Sequence, residues 1–127
     1  VPLIADGDTG HGGVLNVARM VRLYEQAGAA AIQIEDQVFP KRCGHMAGKA
    51  VIDAGEAAAK VAAAVAARDS DDFLIIARTD ARAVTTLDDA LRRGAAFADP
   101  RPAGCLCRDA GGRALARGYA PRHVPGL

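Results

Sequence analysis

The sequence of 127 residues has no tryptophan, only 4% aromatic residues, three cysteines and a formal net charge of +1. The low aromatic content predicts a modest core, although a chain of this length can still bury one. A nearly neutral composition gives no indication of nucleic acid or another polyanion as a partner. No apolar run approaches the ~20 residues that span a bilayer, so we also expect no membrane contact.

Three cysteines are too few, and an odd number, for a disulfide framework. Reduced thiols are typical of a reducing compartment, and the first residues lack the basic and apolar segments of a secretory signal. We therefore expect a cytoplasmic protein. Because the sequence begins with Val1 rather than methionine, we also expect it to be a fragment of a longer chain.

Apolar periodicity predicts three strand–helix units. Strands are predicted at residues 1–5, 29–34 and 73–77, and helices from Val14, over residues 52–67 and from the N-cap Thr86. The alternation indicates an α/β fold with a parallel sheet and right-handed crossovers. Residues 36–50 have no period and are predicted to form a long loop, of the kind that often serves as a lid over a functional site. After Gly94 the composition is rich in glycine, proline and arginine, and we expect little regular structure there.

Charged side chains follow all three predicted strands, where parallel strands present their carboxyl ends on one side. These residues are Asp6, Asp8, Glu35, Asp36, Arg78 and Asp80. A single acid here often caps the next helix, but acids from several strands favour a site. Carboxylates without a matching set of histidines or thiolates are ligands for Mg²⁺ or Mn²⁺. We therefore predict that Asp6, Asp8 and Glu35 bind a divalent cation.

The loop sequence "PKRCGH" places Cys43 beside Lys41, Arg42 and His45. Neighbouring positive charge favours a thiolate, so Cys43 is a candidate acid, base or nucleophile, with a passive loop cysteine as the alternative. A zinc site is disfavoured because no second Cys/His pair has useful spacing. Cys105 and Cys107 would form at most half of a metal site.

The stretches "ADGDTGHGG", "IQIEDQVFPKRCGH", "GKAVI" and "DFLIIARTDARAV" resemble the isocitrate lyase and phosphoenolpyruvate mutase superfamily over residues 1–93. The cysteine-containing loop is most similar to the methylisocitrate lyase and dimethylmalate lyase branch. The resemblance implies a (β/α)8 TIM barrel that is a homo-oligomer with Mg²⁺ at its mouth. A complete barrel needs about 250 residues, so this chain would supply about three βα units of it.

The same resemblance implies roles for individual residues. Asp8 would coordinate the ion, and Asp6 and Glu35 would hold it directly or through water. Cys43 would donate a proton to the carbanion left by bond cleavage. The remaining predicted residues would bind the substrate: Thr9, Gly10, Gly44, His45 and Arg78.

The implied reaction is cleavage of a carbon–carbon bond in a 2-hydroxy di- or tricarboxylic acid, such as 2-methylisocitrate or dimethylmalate. Its products are a 2-oxo acid and a carboxylic acid. The alternatives are a phosphonomutase acting on carboxyvinyl-carboxyphosphonate or phosphoenolpyruvate, an oxaloacetate-cleaving enzyme, and an inactive truncated product. The presence of Cys43 argues against a phosphonomutase.

Two departures from the family pattern accompany these expectations. His11 stands where relatives usually have an aromatic residue. Residues 94–127 do not continue the family pattern, and "CRDAGGR" read one base later gives a family-like strand end. We therefore hypothesise a frameshift near residues 94–104, with residues 1–93 as a partial lyase domain and residues 94–127 as an irregular tail out of frame.

Overall fold

The computed structural model describes residues 1–43, 46–98, 105–109 and 114–117. Its strands are β1 (Ile4–Asp6), β2 (Ala31–Glu35), β3 (Leu74–Thr79), β4 (Cys105–Asp109) and β5 (Ala114–Arg117). Its helices are α1 (Val14–Gln26), α2 (Ala54–Ala67), α3 (Ala81–Val84) and α4 (Leu87–Phe97).

The strands form one sheet in the order β1-β2-β3-β4-β5. The pairs β1–β2, β2–β3 and β3–β4 are parallel, and the pair β4–β5 is antiparallel. The predicted α/β class and parallel sheet are therefore confirmed. Since Glu35 pairs in register with Arg78, the carboxyl ends of β2 and β3 lie side by side.

The main core lies between the sheet and the first two long helices. Ile32 and Ile75 on neighbouring strands are fully buried and pack with Val17 and Val21 of α1. Side chains alternate along a strand, so Glu35 and Arg78 lie on the opposite face from this core. The packing against the helices thus directs the charged residues at the strand ends toward the other side of the sheet.

The helix ends follow local sequence signals. Gly28 has a φ of +89° just beyond α1, as expected for a glycine at a helix C-terminus. The Asp53 side chain caps α2 by accepting hydrogen bonds from the N–H groups of Gly55 and Glu56, so the helix begins at Ala54 rather than at 52. Thr86 caps α4, as predicted, by accepting from the N–H of Asp89.

The prediction of little regular structure after Gly94 is wrong for the described residues. α4 continues to Phe97, β4 pairs with β3 from Ile75↔Cys105 to Thr79↔Asp109, and β5 follows. The run 105–109 contains no glycine or proline, and it pairs with backbone groups that β3 would otherwise leave open. The overall composition of the segment obscured this short run. The frameshift hypothesis stays a prediction.

No helix within the described ranges combines the length and the apolar character needed to cross a membrane.

Candidate active site

Three carboxylates surround one ammonium group at the carboxyl ends of β1 and β2. The Nζ of Lys41 lies 3.3 Å from Asp6 Oδ2, 3.9 Å from Asp8 Oδ2 and 3.6 Å from Glu35 Oε1. The structure therefore brings together the three acids that the sequence predicted to share a cation. The cation that they share in this structure is Lys41, which the sequence analysis considered only as a neighbour of Cys43.

The turn after β1 fixes Asp8 toward this cluster. Asp8 has a φ of +54°, and its N–H donates to Asp6 Oδ1 at 2.8 Å. Its carbonyl accepts from the N–H of Glu35 at 2.9 Å, which joins the turn to β2. These bonds hold all three carboxylates on adjacent segments of backbone.

Thr9 and Gly10, predicted to contact the substrate, lie in the same turn. Thr9 is buried, and its carbonyl accepts a hydrogen bond from Lys60 Nζ at 3.3 Å. The N–H of Gly10 donates to the Gly7 carbonyl at 3.0 Å. Both residues thus shape the turn that carries Asp8, and their contact with a substrate stays a prediction.

The charges of the cluster shift one another's pKa values. Burial acts to lower the pKa of Lys41, but the three carboxylates outweigh it and the pKa is raised. Burial acts to raise the pKa of Asp6, but the N–H of Asp8 and the ammonium of Lys41 outweigh it and the pKa is lowered. Burial raises the pKa of Glu35, and the positive charges of Arg78 and Lys41 offset only part of that effect. Glu35 therefore depends most on neighbouring positive charge to remain ionised.

Arg78 connects this cluster to a second buried carboxylate. Its guanidinium lies 3.3 Å from Glu35 Oε2 through Nη1 and 3.2 Å from Asp80 Oδ1 through Nη2. Its Nε is a buried donor with no hydrogen-bond partner among the described residues. Arg78 thus reaches the predicted site, and its binding of a substrate carboxylate stays a prediction.

Asp36 and Asp80, which also follow strands, have structural partners. Asp36 accepts from Thr79 Oγ1 at 2.6 Å and from the N–H of Asp80 at 3.0 Å, and it lies 3.3 Å from Arg93 Nη1. Burial nevertheless raises its pKa. Asp36 thus links β2 to β3 and α4, whereas the Asp80 side chain accepts from Lys49, Arg78 and Gln37.

Cys43 is exposed in the loop that follows β2. Its carbonyl accepts a hydrogen bond from the N–H of Met46 at 2.9 Å. Gly44 and His45, predicted to bind substrate, lie outside the described residues. The chain order nevertheless places Cys43 two residues after Lys41, whose ammonium is inside the carboxylate cluster.

The donor chemistry of the cluster fits a hard divalent cation. Three carboxylates converge on a single positive charge, and Mg²⁺ or Mn²⁺ prefers such oxygen ligands. Within the described ranges, no group of three or more His, Cys, Asp or Glu side chains has the arrangement of a metal site as it stands. The acids are arranged around Lys41, so a metal ion would have to replace its ammonium.

Comparison with known proteins identifies the family of this chain. A model of the isocitrate lyase family matches residues 1–97. The chain is 55% identical over 97 residues to 2,3-dimethylmalate lyase from Eubacterium barkeri, a match covering 76% of this chain and 34% of that protein. It is 54% identical over 99 residues to 2-methylisocitrate lyase from Aeropyrum pernix, covering 78% and 32% respectively. The chain thus spans about a third of the length of these curated relatives.

Solved structures show the same fold. A crystal structure of 2,3-dimethylmalate lyase, a member of the phosphoenolpyruvate mutase/isocitrate lyase superfamily, matches with a TM-score of 0.77 and 41% identity over 84% of this chain and 36% of that one. Phosphonopyruvate hydrolase in complex with oxalate and Mg²⁺ matches with a TM-score of 0.71 and 40% identity over 86% and 37%. The parallel strands and their helices are therefore part of a TIM barrel of this superfamily, whereas the antiparallel β5 departs from the parallel order of such a barrel.

Proposed function

Because this chain belongs to the isocitrate lyase family, we propose that it forms part of a Mg²⁺-dependent carbon–carbon lyase. The proposed substrate is a 2-hydroxy di- or tricarboxylic acid such as 2-methylisocitrate or 2,3-dimethylmalate. The products are a 2-oxo acid and a carboxylic acid. The observation that carries the proposal is the convergence of Asp6, Asp8 and Glu35 on the ammonium of Lys41, in the loop that holds Cys43.

Asp6, Asp8 and Glu35 are the residues that would hold Mg²⁺. When bound, the ion supplies stabilisation for negative charge on the hydroxyl and carboxylate oxygens of the substrate. Arg78 binds a substrate carboxylate through its guanidinium, which already lies beside Glu35. The chain therefore orients the substrate from two neighbouring strands.

One proton transfer of the proposed reaction is assigned to a residue of this chain. The hydroxyl group gives its proton to water as the new carbonyl forms, and the carbon–carbon bond breaks with its electron pair on the departing fragment. Cys43 then donates its thiol proton to that carbanion or enolate, which becomes the carboxylic acid product, and water returns a proton to Cys43 at the end of the cycle. The loop of residues 36–50 excludes water from the carbanion until the proton arrives.

The substrate separates this proposal from its alternatives within the superfamily. Similar proteins include a carboxyvinyl-carboxyphosphonate phosphorylmutase from Arabidopsis thaliana and an oxaloacetate acetylhydrolase. Cys43 argues against the phosphonomutase, whereas cleavage of oxaloacetate also leaves a carbanion that needs a proton, so the substrate test separates the lyase from the hydrolase. A chain that spans about a third of its relatives could also be an inactive piece, and a cooperative thermal transition would distinguish a folded unit from that case.

The test uses both the 127-residue chain and the complete coding sequence around it. Each protein is incubated with Mg²⁺ and 2-methylisocitrate, 2,3-dimethylmalate or oxaloacetate, and the 2-oxo acid product is measured. We expect cleavage of a 2-hydroxy acid, its loss in Cys43→Ser and its retention in the matched control Cys105→Ser. Turnover of oxaloacetate alone would support the hydrolase alternative, and unchanged activity in Cys43→Ser would remove the proton donor.

The proposed complete enzyme is a homo-oligomer that binds a small carboxylate. β1 lies at the edge of the sheet and Ile4 is 62% exposed, so this edge can pair with further chain or with another subunit. Light scattering on the complete protein tests the oligomer, and a monomer would contradict it.

A further inference from the structure

The side chain of Gln37 connects the carboxylate cluster to the backbone of the Cys43 loop. It is only 2% exposed. Its Oε1 accepts from the N–H of Arg42 at 3.0 Å, and its Nε2 donates to the carbonyl of Arg42 at 3.1 Å. The same Nε2 lies 2.9 Å from Asp80 Oδ2 and 3.2 Å from Glu35 Oε1. One buried amide therefore contacts a predicted metal ligand, a buried carboxylate and the residue before Cys43.

Only an amide can make this set of contacts. The oxygen must accept from one backbone N–H, while the two N–H protons are shared among three acceptors. A glutamate would accept from Arg42 but could donate to none of the others while ionised, and it would add a third carboxylate beside Glu35 and Asp80. A methionine keeps the size of the side chain and loses every one of these hydrogen bonds.

The base of the loop is closed independently of Gln37's side chain. The backbone of Gln37 bridges to Val51, and the N–H of Val38 donates to the Ala50 carbonyl at 2.8 Å. Lys49 Nζ reaches Asp80 Oδ1 at 2.9 Å, on the same carboxylate that Gln37 contacts. Without the side-chain amide of Gln37, the loop would therefore remain attached at both ends but lose the two hydrogen bonds that hold Arg42.

We infer that Gln37 is a positioning residue that fixes Arg42, and hence Cys43, relative to Glu35 and the carboxylate cluster. The inference deepens the proposed function and rests on it, because it assigns Gln37 the task of placing the proton donor. It also makes a purely structural claim, that the hydrogen bonds to Arg42 restrain the loop, and this can be measured without substrate.

Trypsin tests that claim because its cleavage site after Arg42 is inside the restrained segment. We expect Gln37→Met to accelerate cleavage between Arg42 and Cys43 by at least about tenfold, since cleavage requires local opening of the bonds to Arg42. The matched control is Gln26→Met, at the exposed end of α1, which should cleave at the wild-type rate. Equal cleavage rates in the two folded variants would overturn the inference.

A second measurement uses the unaltered chain, in case Gln37→Met does not fold. Hydrogen exchange should show the Arg42 amide protected by at least about tenfold relative to an unstructured peptide. An unprotected Arg42 amide would refute the inference whatever the variant does.

The catalytic part is tested in the complete protein by steady-state kinetics. Misplacement of Cys43 should lower kcat of Gln37→Met by at least about tenfold while KM changes little, because the substrate is held by other residues. A change in KM with kcat unaltered would assign Gln37 to substrate binding instead and overturn the positioning role. If no 2-hydroxy acid is cleaved by the wild type, the proposed function fails, while the trypsin and exchange results still decide whether Gln37 restrains the loop.

Discussion

The ammonium of Lys41 lies 3.6 Å from Glu35 Oε1. Glu35 ends β2, and Lys41 lies in the loop that follows this strand. This contact returns the loop to the strand from which it began. Because the ammonium also lies close to Asp6 and Asp8, it neutralises part of the repulsion among three acids. The position of the loop and the charge balance of the cluster therefore both depend on the side chain of Lys41.

Lys41→Met should strengthen binding of Mg²⁺ or Mn²⁺ roughly tenfold, because the carboxylates would no longer share an internal positive charge; the partial exposure of the cluster limits the effect. Calorimetric titration with each ion checks this. Arg22→Met, at an exposed position of α1, removes the same charge elsewhere and controls for overall electrostatics. Weaker or unchanged metal binding in Lys41→Met would contradict competition between the ammonium and the ion.

Asp80→Asn should destabilise the chain at pH 7 by about 3 kcal/mol, because Lys49, whose side chain is only 6% exposed, would lose its counter-charge. Burial acts to raise the pKa of Asp80, but Lys49 and Arg78 outweigh it and lower the pKa below 3.8. A lowered pKa stabilises the folded chain above pH 3.8, and this contribution is lost as the pH falls through the folded value.

The difference in stability between wild type and Asp80→Asn should therefore shrink as the pH falls below 3.8. Denaturant unfolding at several pH values measures it. The charge of Asp80 contributes to the raised pKa values of Glu35 and Asp36, so the difference reports residue 80 together with its effect on these two acids. A difference that stays constant down to acidic pH would contradict the charged pairing.

The elements with strong local signals were predictable from sequence. Continuous apolar runs marked β2 and β3, and the Thr86 cap marked the start of α4 because its hydrogen bond joins residues three apart. α3, with only four residues, has no periodicity to detect. β4 was missed because its pairing with β3 depends on an edge formed by distant residues, whereas composition describes only the local segment.

The site shows the same division. The acids were predictable because parallel strands necessarily present their carboxyl ends together. The position of Lys41 depends on the return of an irregular loop, and the bond from Gln37 to Asp80 joins residues 43 apart in sequence. The only sequence signal for Gln37 was its position directly after Glu35 and Asp36 at the end of a strand, and that position does not identify a partner.

Asp53→Ala should destabilise the chain by about 1 kcal/mol, because the side chain caps α2 by accepting from two backbone N–H groups. Asp72→Ala, in the exposed turn before β3, removes the same charge and serves as the control. Thermal or denaturant unfolding measures both variants. Equal effects would mean that charge rather than capping accounts for the loss.

Gly10 and Gly28 provide a matched pair that separates backbone strain from crowding. Their φ values are +88° and +89°, a conformation that costs a residue with a Cβ roughly 1–2 kcal/mol. A Cβ on Gly10 would collide with Val17 Cγ2, whereas among the described residues one on Gly28 meets no atom within 4 Å. Gly28→Ala should therefore lose only the backbone contribution.

Gly10→Ala should lose a further ~1–3 kcal/mol, because buried Val17 has little room to move in the core. Since Gly10 lies in the turn that holds Asp8, the same substitution should weaken Mg²⁺ binding, and Gly28→Ala should not. Denaturant unfolding and metal titration of both variants test this pair. If the two substitutions cost the same, the Val17 side chain yields to the new methyl group and the turn is less constrained than its contacts indicate.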